Sequence, residues 1–554
     1  MIQCNADLAN EGLPLIRKDS PILKERLLEY SLLLLAAGLL VLHFFHLRAD
    51  FPNHSPWSDW AKYTDEGWYG DAAIRHYLRG TWRLPGDFNP AVALPVWPLV
   101  EALVFRFTGV GIVAARALTV VVFACVMVCG WVLLGVRAEM PGDRPMRRVF
   151  AAAAMVLLAS SPYIYVFTRM AILEPLLILL TLASLLVAYR MRTSQTRGHW
   201  AWYSVAVGVL ISVMIGTKTT AVFLLPAVMW MVWSSAGWKL RRMLRVTAVC
   251  CATVALLWGI YFALLVHKGY LQDFRYLFSA NAYTGITRAT FFKVVGETIS
   301  DGMWIGPLLY PLSLLMLLAA VFHPRMWRDA VFTSLALWAA GYMAFMAYHA
   351  NMQPRYYLVI AIPLVLLAVR GALHLAEWNW MAVYALAPLF VLLVSFEAHT
   401  TLHYALHPEF TYDTAANEIE RMVESEPNHS HTVLSISGSD LSLMTGLPSI
   451  CDDFGTMYLE DRIAAYRPGW FVAWNYVEDD KMAALGKFYD LKRMGAFPAM
   501  DDPDRNVMVV YRLDPKAGVM PQRKRPGQKL LPTGGESPTN LRRSTVGSKM
   551  VDSK

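Results

Sequence analysis

The sequence predicts a polytopic α-helical membrane protein of about eleven spans that carries a small extracytoplasmic α/β domain toward its C-terminus. Three observations lead there. Hydrophobic residues make up 56% of the 554 residues, charged residues only 17%, and the mean hydropathy is +0.38, a balance typical of multi-pass membrane chains. Long apolar runs recur from residue 27 to residue 396. After residue 400 the pattern changes to short apolar runs set among polar helical stretches.

The spans fall at about 27–45, 117–136, 149–167, 171–189, 200–217, 219–235, 246–266, 303–322, 330–348, 356–369 and 378–396. Several are short, which suits helices that are tilted or packed inside a bundle. The first is leucine-rich and has no small-residue cleavage site before the acidic loop, so it is an anchor and not a cleaved signal peptide. Orientation follows from lysine and arginine placement. Arg17, Lys18, Lys24 and Arg26 precede the first span, which makes residues 1–26 a cytoplasmic N-terminus. Alternate loops then carry Arg137, Arg144, Arg147 and Arg148; Arg190, Arg192 and Arg197; Lys239, Arg241, Arg242 and Arg245; Arg325 and Arg328; and Arg370. Those fourteen basic residues face Arg169, Lys218 and Arg355, one in each short connection opposite. An odd number of spans puts the C-terminal region outside.

Residues 91–107 (AVALPVWPLVEALVFRF) test this map, because counting them as a twelfth span would reverse every later helix. Pro95, Pro98, Glu101 and Arg106 make the segment an amphipathic helix along the interface instead. The transmembrane domain is then 27–398, and 46–116 is one long external loop with short helices of its own, a length that usually signals function.

The extracytoplasmic domain is expected over 399–515, with strands in HTVLSISG, PGWFVAWN and NVMVVYRL and helices in TAANEIERMVES and DDKMAALGKFYDLKRM. Its single cysteine, Cys451, has no partner there, which argues against a disulfide framework. Residues 516–554 read as a basic disordered tail. The tail holds nine lysines and arginines against Glu536 and Asp552, and so supplies most of the chain's net charge of +8. That charge suits anionic lipid or a cell-surface polymer, and no nucleic-acid partner is expected.

Ionisable groups beside hydrocarbon are functional candidates by default. Four such places lie on the predicted outer face. Asp65 and Glu66 stand in YTDEGWYGDAA, where Thr64 is placed to cap the helix they open. A carboxylate there can act as a base toward a hydroxyl or amine, or it can simply suit the helix dipole. As neighbours on a helix, the two acids cannot both point one way. Glu174, in TRMAILEPLL, precedes Pro175 at a helix start and is either functional, a cap, or a partner of Arg169. Lys218, in GTKTTAVFLLP, either snorkels to lipid phosphate or binds the phosphate of a lipid substrate. Arg355, in QPRYYL, offers a planar fork suited to phosphate, or an interfacial anchor. His399, His403 and His407 at i, i+4, i+8 read as an interfacial stripe sooner than a metal face, and Asp440, Asp452 and Asp453 as solvated loop acids.

In order and spacing, DEGWYGDAAIRHYL, ARALTVVVF, TRMAILEP, GTKTTAVFLLP and PRYYLVIAIP resemble the polyprenyl-phosphate-dependent glycosyltransferases of the GT-C superfamily, over about residues 27–400. That group includes aminoarabinose transferases acting on lipid A and protein O-mannosyltransferases. The resemblance implies that Asp65 is the general base, with Glu66 and Glu174 as accompanying acids, and that Lys218 and Arg355 hold the donor phosphate. It implies an inverting transfer of a sugar from a polyprenyl-phosphate donor to a protein, lipid or glycan acceptor at the outer face of a bacterial inner membrane. The family's basic or metal-associated loop residue is missing from GDFNPAVALPVWP, where Asp87 is the nearest polar substitute. Use of a divalent metal is therefore left open. The alternative is a transporter or flippase of a charged lipid or solute, which predicts charges near the bilayer midplane and an internal repeat.

Overall fold

The computed structural model describes residues 21–135, 144–193, 197–280, 286–350, 352–475, 479–503 and 505–519. The expected N-terminal segment before residue 21 and the basic tail beyond residue 519 lie outside the described residues. The helices run in chain order α1 (Pro21–Leu42), α2 (Asp65–Arg79), α3 (Val96–Thr108), α4 (Ile112–Gly135), α5 (Arg144–Ser160), α6 (Pro162–Thr168) and α7 (Glu174–Arg190). They continue with α8 (Arg197–Thr217), α9 (Leu225–Ser235), α10 (Leu240–Tyr261), α11 (Leu271–Ala280), α12 (Phe291–Ser300), α13 (Leu309–Phe322) and α14 (Arg325–Arg328). Next come α15 (Ala330–His349), α16 (Leu358–Trp378) and α17 (Ala382–Leu406), and then α18 (Thr411–Glu424), α19 (Gly438–Thr445), α20 (Leu459–Tyr466) and α21 (Asp479–Gly486).

Every one of the eleven expected spans is helical over most of its length. Among the described residues, six helical segments are long and apolar enough to cross a membrane, and a seventh joins them if α5 and α6, bent by 69°, count as one. The bend falls at Ser161, whose hydroxyl caps α6 through Ile164 N. α16 is the central post. Packed against α4, α5, α6, α7, α13, α15 and α17, it is almost wholly buried, and its first twelve residues are apolar on every side, as a buried helix must be. α10 and α17 leave most of their apolar surface uncovered, as expected of a lipid-facing rim. Residues 91–107 become α3, whose 13 residues are too few to span. α3 buries Trp97, Glu101, Ala102 and Phe105 on one side and exposes Leu99, Leu103 and Phe107 on the other.

The ends of α16 differ chemically. Near its C-terminus Arg370 binds Asp329 (2.5 Å), which also takes His374 (2.8 Å), while Glu377 pairs with Arg147 (3.0 Å). Both arginines were expected in basic loops, but Arg370 lies within α16 and Arg147 within α5. At the other end sits Arg355, under the C-terminal domain. The domain is a five-stranded mixed sheet, made of β1 (Val433–Leu434), β2 (Ser449–Ile450), β3 (Trp470–Trp474), β4 (Tyr489–Asp502) and β5 (Arg505–Pro515) in the order β2-β1-β3-β5-β4. β1 is parallel to β2 and β3, and β5 is antiparallel to β3 and β4.

The expected strands appear, but the helix expected over DDKMAALGKFYDLKRM stops at Gly486. Residues from Tyr489 onward are β4, because β5 offers a ladder that pairs Leu491 with Leu513 and Arg493 with Tyr511. A long-range partner here overrides local helix propensity. α17 also continues past residue 398 to Leu406 before the chain turns into α18.

Candidate active site

The site begins with a short turn. Asp59 caps the 3-10 turn Trp60–Lys62 by accepting from Ala61 N (2.8 Å), and the chain then enters α2 at Asp65. Arg355 stands in the 3-10 turn Pro354–Tyr357 that opens α16, with Pro354 setting the backbone for the first turn. One arm of its guanidinium binds Asp59, its backbone N–H donates to Asp59 Oδ2 (2.7 Å), and Nη2 lies 2.9 Å from Asp65 Oδ2. The neighbouring Tyr356 ring lies 4.8 Å from the Arg355 guanidinium and 4.2 Å from Lys218 Nζ, and so sits between two cations.

Lys218 follows α8 and leads the 3-10 turn Thr219–Leu224. Its ammonium donates to Glu174, the first residue of α7, where Pro175 occupies the first turn. The turn after Lys218 is seated by Gly341 on α15, where a Cβ would lie 2.2 Å from Phe223 O, and by the Thr220–Tyr342 hydroxyl pair (3.3 Å). Two buried cations therefore sit among three buried carboxylates. Two of their polar atoms make no hydrogen bond among the described residues, Arg355 Nε and Glu174 Oε2, while Asp65 Oδ2 meets only the Arg355 ion pair. Buried unsatisfied groups are rare enough to need a reason. Burial raises the Asp65 carboxyl above its ordinary range; the Arg355 charge opposes the rise, and Asp59 and Glu174 add to it.

Glu66 points elsewhere, as two neighbouring helical residues must. The Arg116 fork grips it at 2.8 and 2.5 Å, and Ala171 N–H donates to it at 2.8 Å. Arg116 also holds the carbonyls of Leu47 (2.8 Å) and Ala49 (2.6 Å), so Glu66 ties α2 to α4 and to the chain leaving α1. A second ionic cluster lies further along α2. Arg75 is held between Asp71 (2.7 Å) and Asp87 (2.6 Å), and burial pushes Asp71 up to about 7.

The structure thus brings Asp65, Glu174, Lys218 and Arg355 together and turns Glu66 away. Several expectations need correction. Thr64 occupies the cap position of α2 but caps nothing, because its hydroxyl donates to Asp65 Oδ1 (3.0 Å). Glu174 pairs with Lys218 and not with Arg169, which donates instead to Tyr165 OH (2.7 Å) and the carbonyls of Phe45 and His46. Asp87 does not replace the missing loop residue at the site; it faces Arg75 and accepts from Cys451 N (3.0 Å). Asp440 and Asp452 are buried, not solvated. Sequence reasoning missed Asp59 and Tyr356, although Asp59 lies six positions before Asp65 and Tyr356 directly follows Arg355. A second acid in the same loop and an aromatic beside the arginine were the available signals.

Among the described residues no cluster of three or more His, Cys, Asp or Glu side chains is arranged for a metal. Arg355 and Lys218 offset two of the three carboxylate charges at the site.

Residues 105–274 match the family described as dolichyl-phosphate-mannose-protein mannosyltransferase. The chain is accordingly a multi-pass membrane glycosyltransferase. Its fold is similar to that of ArnT from Cupriavidus metallidurans. The apo crystal structure of ArnT aligns at a TM-score of 0.54 with 15% identity, over 86% of this chain and 97% of that one. The structure of the same protein bound to undecaprenyl phosphate aligns at 0.55, with the same identity and coverage. No curated protein matches the sequence significantly.

Proposed function

We propose that this chain is an inverting glycosyltransferase that moves a sugar from a polyprenyl-phosphate donor to an acceptor at the outer face of a bacterial inner membrane. The N-terminus is cytoplasmic and the C-terminal domain lies outside. The observation that carries the reading is the pair of buried cations bridged by Tyr356 and interleaved with carboxylates, at the end of the bundle away from the basic loops. That arrangement suits a lipid phosphate arriving sideways from the bilayer, and the fold shared with a structure bound to undecaprenyl phosphate supports the donor class.

In the reaction the acceptor's hydroxyl or amine attacks the anomeric carbon as the bond from that carbon to the phosphate oxygen breaks. Asp65 takes the acceptor proton. Its burial makes it a stronger base than an exposed aspartate, and the Arg355 charge opposes that rise in basicity. The departing polyprenyl phosphate gains charge, and Arg355 Nε and Lys218 stabilise it in a site closed to water. Because a phosphate leaves without protonation, one carboxylate base suffices, unlike the two that glycoside hydrolysis requires. Glu174 holds Lys218 in place, and Glu66 fixes the helix that carries Asp65.

The test is sugar transfer from a radiolabelled panel of polyprenyl-phosphate monosaccharides in proteoliposomes, with cell extract as the acceptor source. One donor should turn over, and Asp65→Asn should abolish the turnover. Wild-type protein inert toward every donor would sink the enzyme reading, and an active Asp65→Asn would remove Asp65 as the base.

A further inference from the structure

The helix that presents Asp65 lacks a cap of its own. The first amides of any helix have no intrahelical partner, and the Thr64 hydroxyl serves none of them. A substitute arrives from a distant part of the chain. Asp440, near the start of α19 in the C-terminal domain, accepts from Gly67 N through Oδ1 at 3.2 Å. Gly67 is the third residue of α2, the position whose amide an N-cap side chain ordinarily serves.

Two further bonds run along the same seam. Ser439 Oγ donates to Asp71 Oδ1 (3.1 Å), and Trp68 Nε1 donates to the Ile436 carbonyl (3.1 Å). The approach leaves no space. A Cβ on residue 67 would lie 2.2 Å from both Asp440 N and the Ser439 carbonyl carbon, so only glycine admits α19 this close. Asp440 is 3% exposed.

We propose that the C-terminal domain is a working part of the active site, with Asp440 capping the catalytic helix α2 from outside it and so positioning Asp65. The proposal rests on the reading above that Asp65 is the base. Asp65 is the first residue of α2, and an uncapped first turn frays, which carries its carboxylate away from Arg355 and the acceptor. Misplacement of a reacting group by about 1 Å costs on the order of a hundredfold in rate. The cap needs an acceptor oxygen and not a charge. Burial and the nearby Glu66 hold Asp440 well above the usual carboxylate range, yet Oδ1 accepts from Gly67 in either protonation state. Asp440 is thus a positioning residue, and asparagine should serve in its place.

The experiment combines hydrogen–deuterium exchange with transfer kinetics on the full chain in lipid nanodiscs. Asp440→Ala should speed exchange of the amides at 66–69 about tenfold, the size of one capping interaction. It should also lower kcat about tenfold or more, with the donor KM within about twofold of wild type. Asp440→Asn should restore both toward wild type. Gly67→Ala, which wedges α19 away without altering Asp440, should reproduce the alanine phenotype while exchange in β3 and β5 stays slow. Unchanged exchange at 66–69 in Asp440→Ala would overturn the cap. Faster exchange with unchanged kcat, or an asparagine variant as impaired as the alanine one, would overturn the positioning role. Wild-type protein without transfer activity would refute the glycosyltransferase reading instead, and with it the positioning of a base, while the exchange data alone would still decide the cap.

Discussion

Arg355→Lys separates the two tasks the structure gives this guanidinium. Arg355 binds Asp59 with one arm and with its backbone, reaches Asp65 Oδ2 at 2.9 Å with the other arm, and keeps Nε unbonded. A lysine ammonium is a point charge on a flexible stem and cannot hold both carboxylates and still face a phosphate. Hydrogen bonds to charged groups contribute about 1.5–3 kcal/mol each. Losing one such interaction at the leaving phosphate predicts a fall in kcat/KM of about 10- to 150-fold at roughly 1.4 kcal/mol per decade. A second consequence concerns pH. Burial raises Asp65, and Arg355 is the largest opposing influence. Weakening that influence raises Asp65 further. Under the proposed mechanism activity requires ionised Asp65, so it is present above the carboxyl pKa and lost as pH falls through it. The acid limb of the rate profile should therefore move to higher pH in the lysine variant. The assay is donor-dependent transfer in proteoliposomes from pH 5 to 9, using preparations that remain monodisperse. An unchanged kcat/KM, or a loss confined to KM with the acid limb unmoved, would refute the coupling of Arg355 to Asp65.

Two other expectations follow from the buried charges. Lys218→Met strands Glu174, which is fully buried, without its cation, and should cost about 3–5 kcal/mol of stability in denaturant titration. Adding Glu174→Gln should recover much of that stability but none of the transfer activity; a single variant as stable as wild type would show that the pair is not buried in the protein. Asp71 has its carboxyl raised from 3.8 to about 7, so the folded state binds its proton more tightly than the unfolded chain does. Its contribution to stability is present below about pH 4 and is lost as pH rises toward 7. Melting temperatures of wild type and Asp71→Asn should accordingly differ in slope over that window, and parallel curves would contradict the raised carboxyl.

Part of the site was readable from local pattern. Asp65, Glu174, Lys218 and Arg355 each interrupt apolar sequence, and a charge beside hydrocarbon is costly enough to stand out without any partner in view. Their pairing was not readable. Arg355 meets Asp59 across 296 positions and Glu174 meets Lys218 across 44, and neither separation has a periodicity to betray it. Thr64 shows the opposite failure, since a residue with the right chemistry at the right place lost its expected role to a distant aspartate. The β4 strand inside DDKMAALGKFYDLKRM failed in the same way, because the deciding partner, β5, lies further along the chain.

The sequence by itself determined the membrane-embedded helical class, the short amphipathic helix α3 and the residues that carry unusual charge. Each of these follows from the transfer cost of a local segment, which needs no knowledge of neighbours. Only the tertiary structure decided which charges neutralise one another, that Glu66 turns from the site toward Arg116, and that α2 is capped by Asp440. Those outcomes depend on which buried groups find a partner within hydrogen-bond reach, and in a folded bundle that partner is set by packing rather than by nearness along the chain.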